Sequence, residues 1–148
     1  MQEISTEIQL ACSAEAAWKA ISNIDGWADW SPIINASKGQ LSLGEKLDIT
    51  MCGPQEGKDG PRYKPKVIEL EDGVRFRWRA HMIAGFLFTN EKLIELHPQG
   101  NGCKLVHKEL FSGILAPVFC GQMEKGVPPM LNKMNEALKK KLESAKSA

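Results

Sequence analysis

Four polar side chains recur at alternate positions of two neighbouring segments: Asn90 and Lys92 in the first, His107 and Glu109 in the second. Alternate residues of a strand face the same side, so each pair shares one face of its segment. A carboxylate or an imidazole on such a face can act as a general base on an acidic C–H or hydroxyl group. Glu109 and His107 are therefore the candidate catalytic residues, with Lys92 and Asn90 as their candidate partners.

The stretch 74–113 that carries these residues has the pattern of three consecutive antiparallel strands. Its first strand separates apolar residues from arginines, with Val74, Phe76, Trp78 and Ala80 on one side and Arg75, Arg77 and Arg79 on the other. A period of two with this contrast is typical of a half-buried strand. We therefore expect the apolar side to face an interior. The arginine row should form a solvated outer surface rather than a nucleic-acid contact, because no aromatic residues interleave with it.

Strand register decides whether the polar residues meet. Pairing Ile94 with Leu105 across the second hairpin would set Lys92 against His107 and Asn90 against Glu109. A slip of one residue would move a strand's whole apolar set to the wrong face, which disfavours it. The first register is therefore the predicted one.

The neighbouring hairpin and the last helix are expected to supply the apolar part of the same interior. In the predicted register Trp78 lies near Phe88, and Phe76 lies near Asn90. Methionine is flexible and polarisable, so methionines of the last helix suit an adaptable apolar pocket. The residues expected to line a ligand pocket are Phe76, Trp78, Phe86, Phe88, Asn90, Lys92, Ile94, Leu105, His107, Glu109, Phe111, Met130 and Met134.

The cluster of Lys92, His107 and Glu109 has two interpretations. Buried charges are costly unless they are paired, so the cluster needs internal partners in either case. In the first interpretation it is a satisfied hydrogen-bond network that ties the last strands to the terminal helix. In the second it projects into a cavity and contacts the polar end of an otherwise apolar ligand.

The bulk composition indicates one globular domain, residues 1–148. The chain is 43% hydrophobic and carries a net charge of +1, so it can bury a sizeable core and has no strong field for nucleic acid. Its first residues lack the pattern of a signal peptide, and no stretch is long enough for stable membrane insertion. The four cysteines are scattered without metal-ligand spacing, so we expect free thiols in the cytoplasm, and neither a metal nor another cofactor.

The remaining segments predict an α+β fold. Residues 2–11 alternate as a first strand, and Ser13 can cap the first of two short helices. Residues 52–65, rich in Gly, Pro and charge, are expected to form the longest irregular connection. Beyond Gly113 the chain is helical, and Pro128 and Pro129 favour a break before a second helical segment. A sheet of about seven antiparallel strands would then curl around residues 128–145.

Three segments stand out, AWKAISNIDGWADWSPII near the N-terminus, HKELFSGILAPVF after the last strand begins, and MNEALKKKLE near the C-terminus. Together they resemble one known family, the START-like helix-grip superfamily, in its polyketide cyclase/dehydrase and lipid-transport (SRPBCC) branch. The segment AWKAISNIDGWADWSPII is similar to that family's first-helix region, where Trp18 and Trp30 match characteristic tryptophans. The segment HKELFSGILAPVF resembles its last-strand signature, and MNEALKKKLE resembles its terminal helix. The resemblance implies a sheet that grips a long helix around an apolar cavity, and it specifies fold better than function.

Three functions are compatible with these observations. The leading hypothesis is the binding or carriage of a hydrophobic small molecule, such as a lipid, isoprenoid, polyketide or aromatic compound. The alternative is a cyclase, dehydratase or isomerase that uses Glu109 and His107. A third is a protein-interaction module that uses the outer sheet face or the 52–65 segment. No motif in the sequence names a particular reaction.

Overall fold

Eight strands form two antiparallel sheets in the part of the chain that the computed structural model describes, residues 2–53, 55, 58–81 and 87–147. The five-stranded sheet has the order β1 (Gln2–Leu10), β8 (Gly102–Ser112), β7 (Thr89–Gln99), β6 (Arg75–His81) and β5 (Lys66–Glu71). The three-stranded sheet has the order β2 (Ile34–Lys38), β3 (Asp48–Cys52) and β4 (Asp59–Tyr63). Backbone hydrogen bonds join the two sheets, from Leu47 N–H to Pro65 O at 2.8 Å and from Val67 N–H to Glu45 O at 2.9 Å.

Strand β4 is a correction to the sequence-based expectation, because it lies inside the segment 52–65 that was predicted to be irregular. Its residues pair with β3, with Tyr63 opposite Ile49 and Arg62 opposite Thr50. The glycines and prolines of the segment concealed this strand. Pro61 is tolerated because β4 is an edge strand, where one side of the backbone needs no ladder partner. The predicted count of about seven strands therefore becomes eight within the described residues.

Two short helices follow β1 and cover one end of the five-stranded sheet. Helix α1 (Ala14–Ser22) begins where the Ser13 hydroxyl accepts a hydrogen bond from the Ala16 N–H at 3.1 Å, as predicted for an N-cap. After a single 3₁₀ turn, helix α2 (Trp27–Trp30) brings Trp27 against the sheet. The Trp27 indole N–H donates to the Ile21 carbonyl at 2.9 Å, which fixes the ring in the interior. This end of the molecule is closed by large side chains.

The last helix, α3 (Ala116–Ser147), is continuous, so the predicted break at Pro128 and Pro129 is wrong. Proline lacks an N–H, and these two prolines leave the carbonyls of Glu124 and Lys125 without their usual helical donors. Both of those residues are exposed, so water can satisfy the two carbonyls. The helix packs mainly on β1 and β8.

The buried apolar residues divide into two clusters that share the same sheet. The larger includes Trp18, Trp27, Phe76 and Trp78 together with the apolar residues of α1 and of β3. The smaller contains Ile4, Phe111, Met123 and Leu131, with Phe88, Phe119, Val127 and Met130 packed partly against it. The predicted inner faces of β6, β7 and β8 are therefore buried, but beneath different neighbours.

The arginine row of β6 lies on the outer face, as the alternation predicts. Arg75 pairs with Glu71 and with Glu95, each at 3.1 Å. Arg79 Nε lies 3.1 Å from a carboxylate oxygen of Glu91 on the neighbouring strand. These ion pairs run along the surface of the sheet, and the arginines therefore already have acidic partners.

Candidate functional site

The register of the β7–β8 hairpin differs from the predicted one by two residues. Ile94 lies opposite His107 rather than Leu105, and Lys92 lies opposite Glu109 rather than His107. The turn is tighter than assumed, because Gln99 already pairs with Gly102 and only two residues connect them. A shift of two keeps every side chain on its predicted face. The polar residues therefore still share one face, with different partners.

The register between β6 and β7 is also corrected. Trp78 lies opposite Lys92, not near Phe88, and Phe76 lies opposite Ile94, not near Asn90. The aromatic side chains of β6 are therefore placed toward the end of the sheet that α1 and α2 cover.

A chain of hydrogen bonds links the helix α3 to the polar residues of the sheet. Asn135 donates from Nδ2 to Thr6 Oγ1 at 2.9 Å and accepts at Oδ1 from His107 Nδ1 at 2.9 Å. The other ring nitrogen of His107, Nε2, lies 2.6 Å from Lys92 Nζ, where it accepts from the ammonium. Thr6 Oγ1 donates in turn to the His107 carbonyl at 3.0 Å. The imidazole is thus held as the tautomer that carries its proton on Nδ1.

His107 is fully buried, and its environment disfavours the charged imidazolium. Burial, with the neighbouring Lys92 cation, holds the pKa of His107 well below its usual range, and the hydrogen bond to Asn135 opposes this only in part. Because both ring nitrogens are occupied, His107 has no free lone pair for substrate. This side chain fits the first interpretation of the cluster, a network that ties the sheet to the helix.

The other end of the polar chain is the ion pair between Lys92 and Glu109. Lys92 Nζ lies 2.8 Å from Glu109 Oε1, and the second carboxylate oxygen accepts from Asn90 Nδ2 at 2.6 Å. The side chains of Lys92 and Glu109 are only 5% and 6% exposed, so each charge depends on the other for compensation. The Lys92 ammonium also lies 5.8 Å from the centre of the Trp78 ring.

A cavity of about 170 Å³ adjoins this ion pair and is partly open to solvent. Both sheets and α3 contribute to its wall, which is mostly apolar and contains a few polar residues. The lining residues are Ile33, Ile34, Met51, Pro61, Tyr63, Phe88, Asn90, Lys92, Glu109, Phe111, Val127 and Met130. A mainly apolar wall with a few converging polar groups is typical of a small-molecule site.

Tyr63 contributes a phenol to the same wall. Its hydroxyl lies 3.7 Å from the sulfur of Met51, a weak hydrogen-bond acceptor. Burial, and after it the negative charge of Glu109, raises the pKa of Tyr63, so the phenol stays protonated at neutral pH.

The structure brings about half of the predicted pocket residues to the cavity: Phe88, Asn90, Lys92, Glu109, Phe111 and Met130. Six others are not among the lining residues, namely Phe76, Trp78, Ile94, Leu105, His107 and Met134. These six are buried in the interior instead, because α1, α2 and the C-terminal half of α3 pack over that part of the inner face. Phe86 lies outside the described residues.

Sequence reasoning missed the part of the wall that comes from the small sheet, including Pro61 of β4, and it missed Val127 of helix α3, although it predicted Met130 of the same helix. Ile33 precedes β2 and Ile34 begins it, Met51 belongs to β3, and Tyr63 ends β4. Leu47, Ile49 and Met51 alternate in the sequence, but no local pattern shows that their face meets β7 and β8. Tyr63 lay in a segment assigned to a loop, and only the strand pairing places it.

Among the described residues, no group of three or more His, Cys, Asp or Glu residues is placed to hold a metal ion. No helix in that part of the chain is long and apolar enough to cross a membrane.

A curved antiparallel sheet that grips a long C-terminal helix beside an apolar cavity defines a helix-grip protein. The chain matches the family of polyketide cyclase/dehydrase and lipid transport proteins over residues 1–143, and it belongs to that family. This confirms the resemblance seen in the sequence. No curated protein sequence matches the chain at a significant level.

Solved structures with the same fold include enzymes and a START protein. Norcoclaurine synthase of Thalictrum flavum, a point mutant bound to a transition-state analogue, is 21% identical with a TM-score of 0.71, covering 98% of this chain and 96% of that one. The di-domain ARO/CYC protein StfQ of the steffimycin biosynthetic pathway is 11% identical with a TM-score of 0.76, covering 99% and 52%. A START superfamily protein from Mycobacterium smegmatis is 16% identical with a TM-score of 0.69, covering 97% and 98%. At these identities the likeness establishes the fold.

Proposed function

We propose that this protein binds a hydrophobic small molecule, one end of which occupies the cavity between the two sheets and helix α3. The observation that carries the proposal is the apolar cavity whose wall includes the paired charges of Lys92 and Glu109. Family membership supports it, because lipid transport and polyketide chemistry both require an apolar ligand to leave water.

The size of the cavity limits what can enter it. An apolar cavity of about 150 Å³ accepts a benzene molecule, so 170 Å³ suits a single ring or a short branched chain. A drug-sized ligand needs a site of about 300–1,000 Å³, so a larger molecule would extend through the open side. The proposal is therefore a ligand whose terminal ring is buried and whose remainder lies toward the solvent.

Ligand uptake tests the proposal directly. Native mass spectrometry of freshly purified protein should show a one-to-one adduct, and an environment-sensitive apolar dye should bind saturably. Val127 lines the cavity, so Val127→Trp should fill it and weaken dye binding by at least about tenfold, since a blocked pocket loses its contact area.

The matched control lies on the same helix. Val118 is 71% exposed and is not among the cavity residues, so Val118→Trp should bind dye as the parent protein does. The absence of both adduct and dye uptake would refute the proposal. Equal dye affinity in the Val127→Trp and parent proteins would show that binding occurs elsewhere.

An enzymatic function is the second candidate, and the position of Glu109 favours it. Glu109 lines the cavity beside a lysine and a tyrosine, whereas His107 has no free nitrogen, so Glu109 alone of the predicted pair could act as a base. Under this hypothesis a cyclase, dehydratase or isomerase substrate would bind to Glu109→Gln protein but would not turn over. Unchanged turnover by that variant would exclude Glu109 as the base.

A further inference from the structure

The cavity wall is electrically neutral even though it contains ionised groups. Among the described lining residues, only Tyr63, Lys92 and Glu109 can ionise. The Lys92 and Glu109 charges cancel across 2.8 Å. Tyr63 stays protonated, because burial and the charge of Glu109 raise its pKa. Directly behind the wall, His107 is also neutral, because burial and Lys92 lower its pKa.

A neutral wall disfavours a charged ligand of either sign. A carboxylate or ammonium group that enters a site with little water must lose its hydration, and this cost is recovered only by an unmatched opposite charge. In this wall each charge is already paired with the other. A carboxylate that approached Lys92 would also approach Glu109, and an ammonium group that approached Glu109 would also approach Lys92.

The same residues retain hydrogen-bonding capacity for a neutral group. An ammonium has three N–H donors, and Lys92 uses two of them, on His107 and Glu109, within the described part of the chain. Each carboxylate oxygen of Glu109 accepts one bond, from Lys92 or from Asn90, and keeps a further lone pair. A ligand hydroxyl can accept from Lys92 and donate to Glu109 at once, whereas a carbonyl can only accept.

We propose that the cavity selects ligands whose buried end is a neutral, hydroxyl-bearing ring, of the phenol type, and rejects carboxylates and ammonium groups. This selectivity rests on the proposed ligand-binding function and adds the chemical class of the ligand to it. The Lys92–Glu109 pair is the selecting element, because it offers a donor and an acceptor without a net charge.

Four ring-sized probes of similar shape test the selectivity at neutral pH: phenol, toluene, benzoate and benzylammonium. Titration of the protein, followed by NMR shifts of its amide and indole N–H groups, gives each dissociation constant. Phenol should bind best, toluene about tenfold more weakly because it leaves the polar pair without a partner, and the two ions at least about tenfold more weakly than phenol.

The outcomes separate the two proposals. Benzoate or benzylammonium binding as tightly as phenol would overturn the selectivity while leaving the ligand-binding function intact. Equal binding of toluene and phenol would overturn the role of the polar pair. If none of the four probes shifts the spectrum, the proposed function itself fails.

Charge-altering variants provide a second test of the same pair. Glu109→Gln leaves the Lys92 charge unmatched, so benzoate should gain affinity relative to phenol by about tenfold or more. Lys92→Met leaves Glu109 unmatched, so benzylammonium should gain instead. An unchanged ligand order in both variants would refute the assignment.

The double variant Lys92→Met/Glu109→Met guards against loss of folding, because it removes both charges together, leaves none buried alone and leaves no hydrogen-bonding group at either position. It should still reject both ions, but phenol should lose its advantage over toluene. Retention of that advantage would show that other residues recognise the hydroxyl. Circular dichroism of each variant establishes that folded protein is compared.

Discussion

The two ends of the molecule use similar aromatic residues and reach different results. At one end, which we call the closed end, Trp18, Trp27, Phe76 and Trp78 pack together, and the Trp27 and Trp78 ring centres lie 5.5 Å apart. At the other, which we call the cavity end, Phe88 lies 5.8 Å from Phe111 and 5.4 Å from Phe119, yet Phe88 and Phe119 remain only half-buried.

The difference arises from what covers the sheet rather than from the strands themselves. Helices α1 and α2 place Trp18 and Trp27 over the inner face at the closed end, and these side chains fill it. At the cavity end the same sheet is covered by β2, β3, β4 and α3, which leave about 170 Å³ unfilled. One sheet therefore supports a packed core where α1 and α2 cover it and a candidate binding site where they do not.

The largest expected effect compares two phenylalanines, one from each end. Phe76 is fully buried at the closed end, so Phe76→Ala should reduce the free energy of unfolding by about 3–5 kcal/mol, through lost burial and a new internal void. Phe88 is half-buried and already faces the cavity, so Phe88→Ala should cost only about 1–2 kcal/mol. Urea unfolding of both variants measures the two losses. Equal losses would mean that the two ends are packed alike.

The second prediction concerns His107, at the buried end of the hydrogen-bond chain, and the pH dependence of the free energy of unfolding. The pKa of His107 is lower in the folded protein than in the unfolded chain, where it is about 6.5. As the pH falls below about 6.5, the unfolded chain therefore binds a proton that the folded protein does not. Stability is fully present above that pH and decreases below it, by up to about 1.4 kcal/mol per pH unit until the folded pKa is reached.

Urea unfolding between pH 5 and pH 8 measures this slope. His107→Gln should flatten the slope, because the titrating group is gone, even if the variant is less stable at every pH. A slope that persists in His107→Gln would assign the proton to another residue.

The comparison also shows how far the sequence predicts this structure. The alternation in β6, β7 and β8 correctly identified their inner faces, because a face depends only on parity. The partners were wrong by two residues between β7 and β8 and by four between β6 and β7, because parity does not determine the register. Local patterns thus predicted that Lys92 and Glu109 share a face, but not that they form an ion pair.

The division between core and cavity could not be predicted from local pattern at all. Trp78 and Phe111 show the same alternation, yet Phe111 lines the cavity whereas Trp78 is covered by Trp27 of a distant helix. Tyr63 was hidden because a strand with proline at its centre resembles a loop. The separate roles of His107 and Glu109 likewise depend on Asn135, one residue of a helix 28 positions further along.

The smallest predicted effect concerns the helix that spans both ends. Val127 and Met130 line the cavity and the two prolines lie between them, whereas Leu131, Met134 and Leu138 are buried farther along the helix. Because Pro129 is exposed and removes a helical hydrogen bond, Pro129→Ala should raise the free energy of unfolding by about 1–2 kcal/mol. The gain is smaller than the propensity difference of about 3 kcal/mol, since proline also restricts the unfolded chain. Lys133→Ala, at another exposed position of α3, should change stability by less than about 0.5 kcal/mol.

Hydrogen exchange should slow in Pro129→Ala for the amides of residues 119–127, before the prolines, more than for those of residues 134–142. Equal slowing in both parts, or no gain in stability, would show that the prolines do not weaken the part of the helix that covers the cavity.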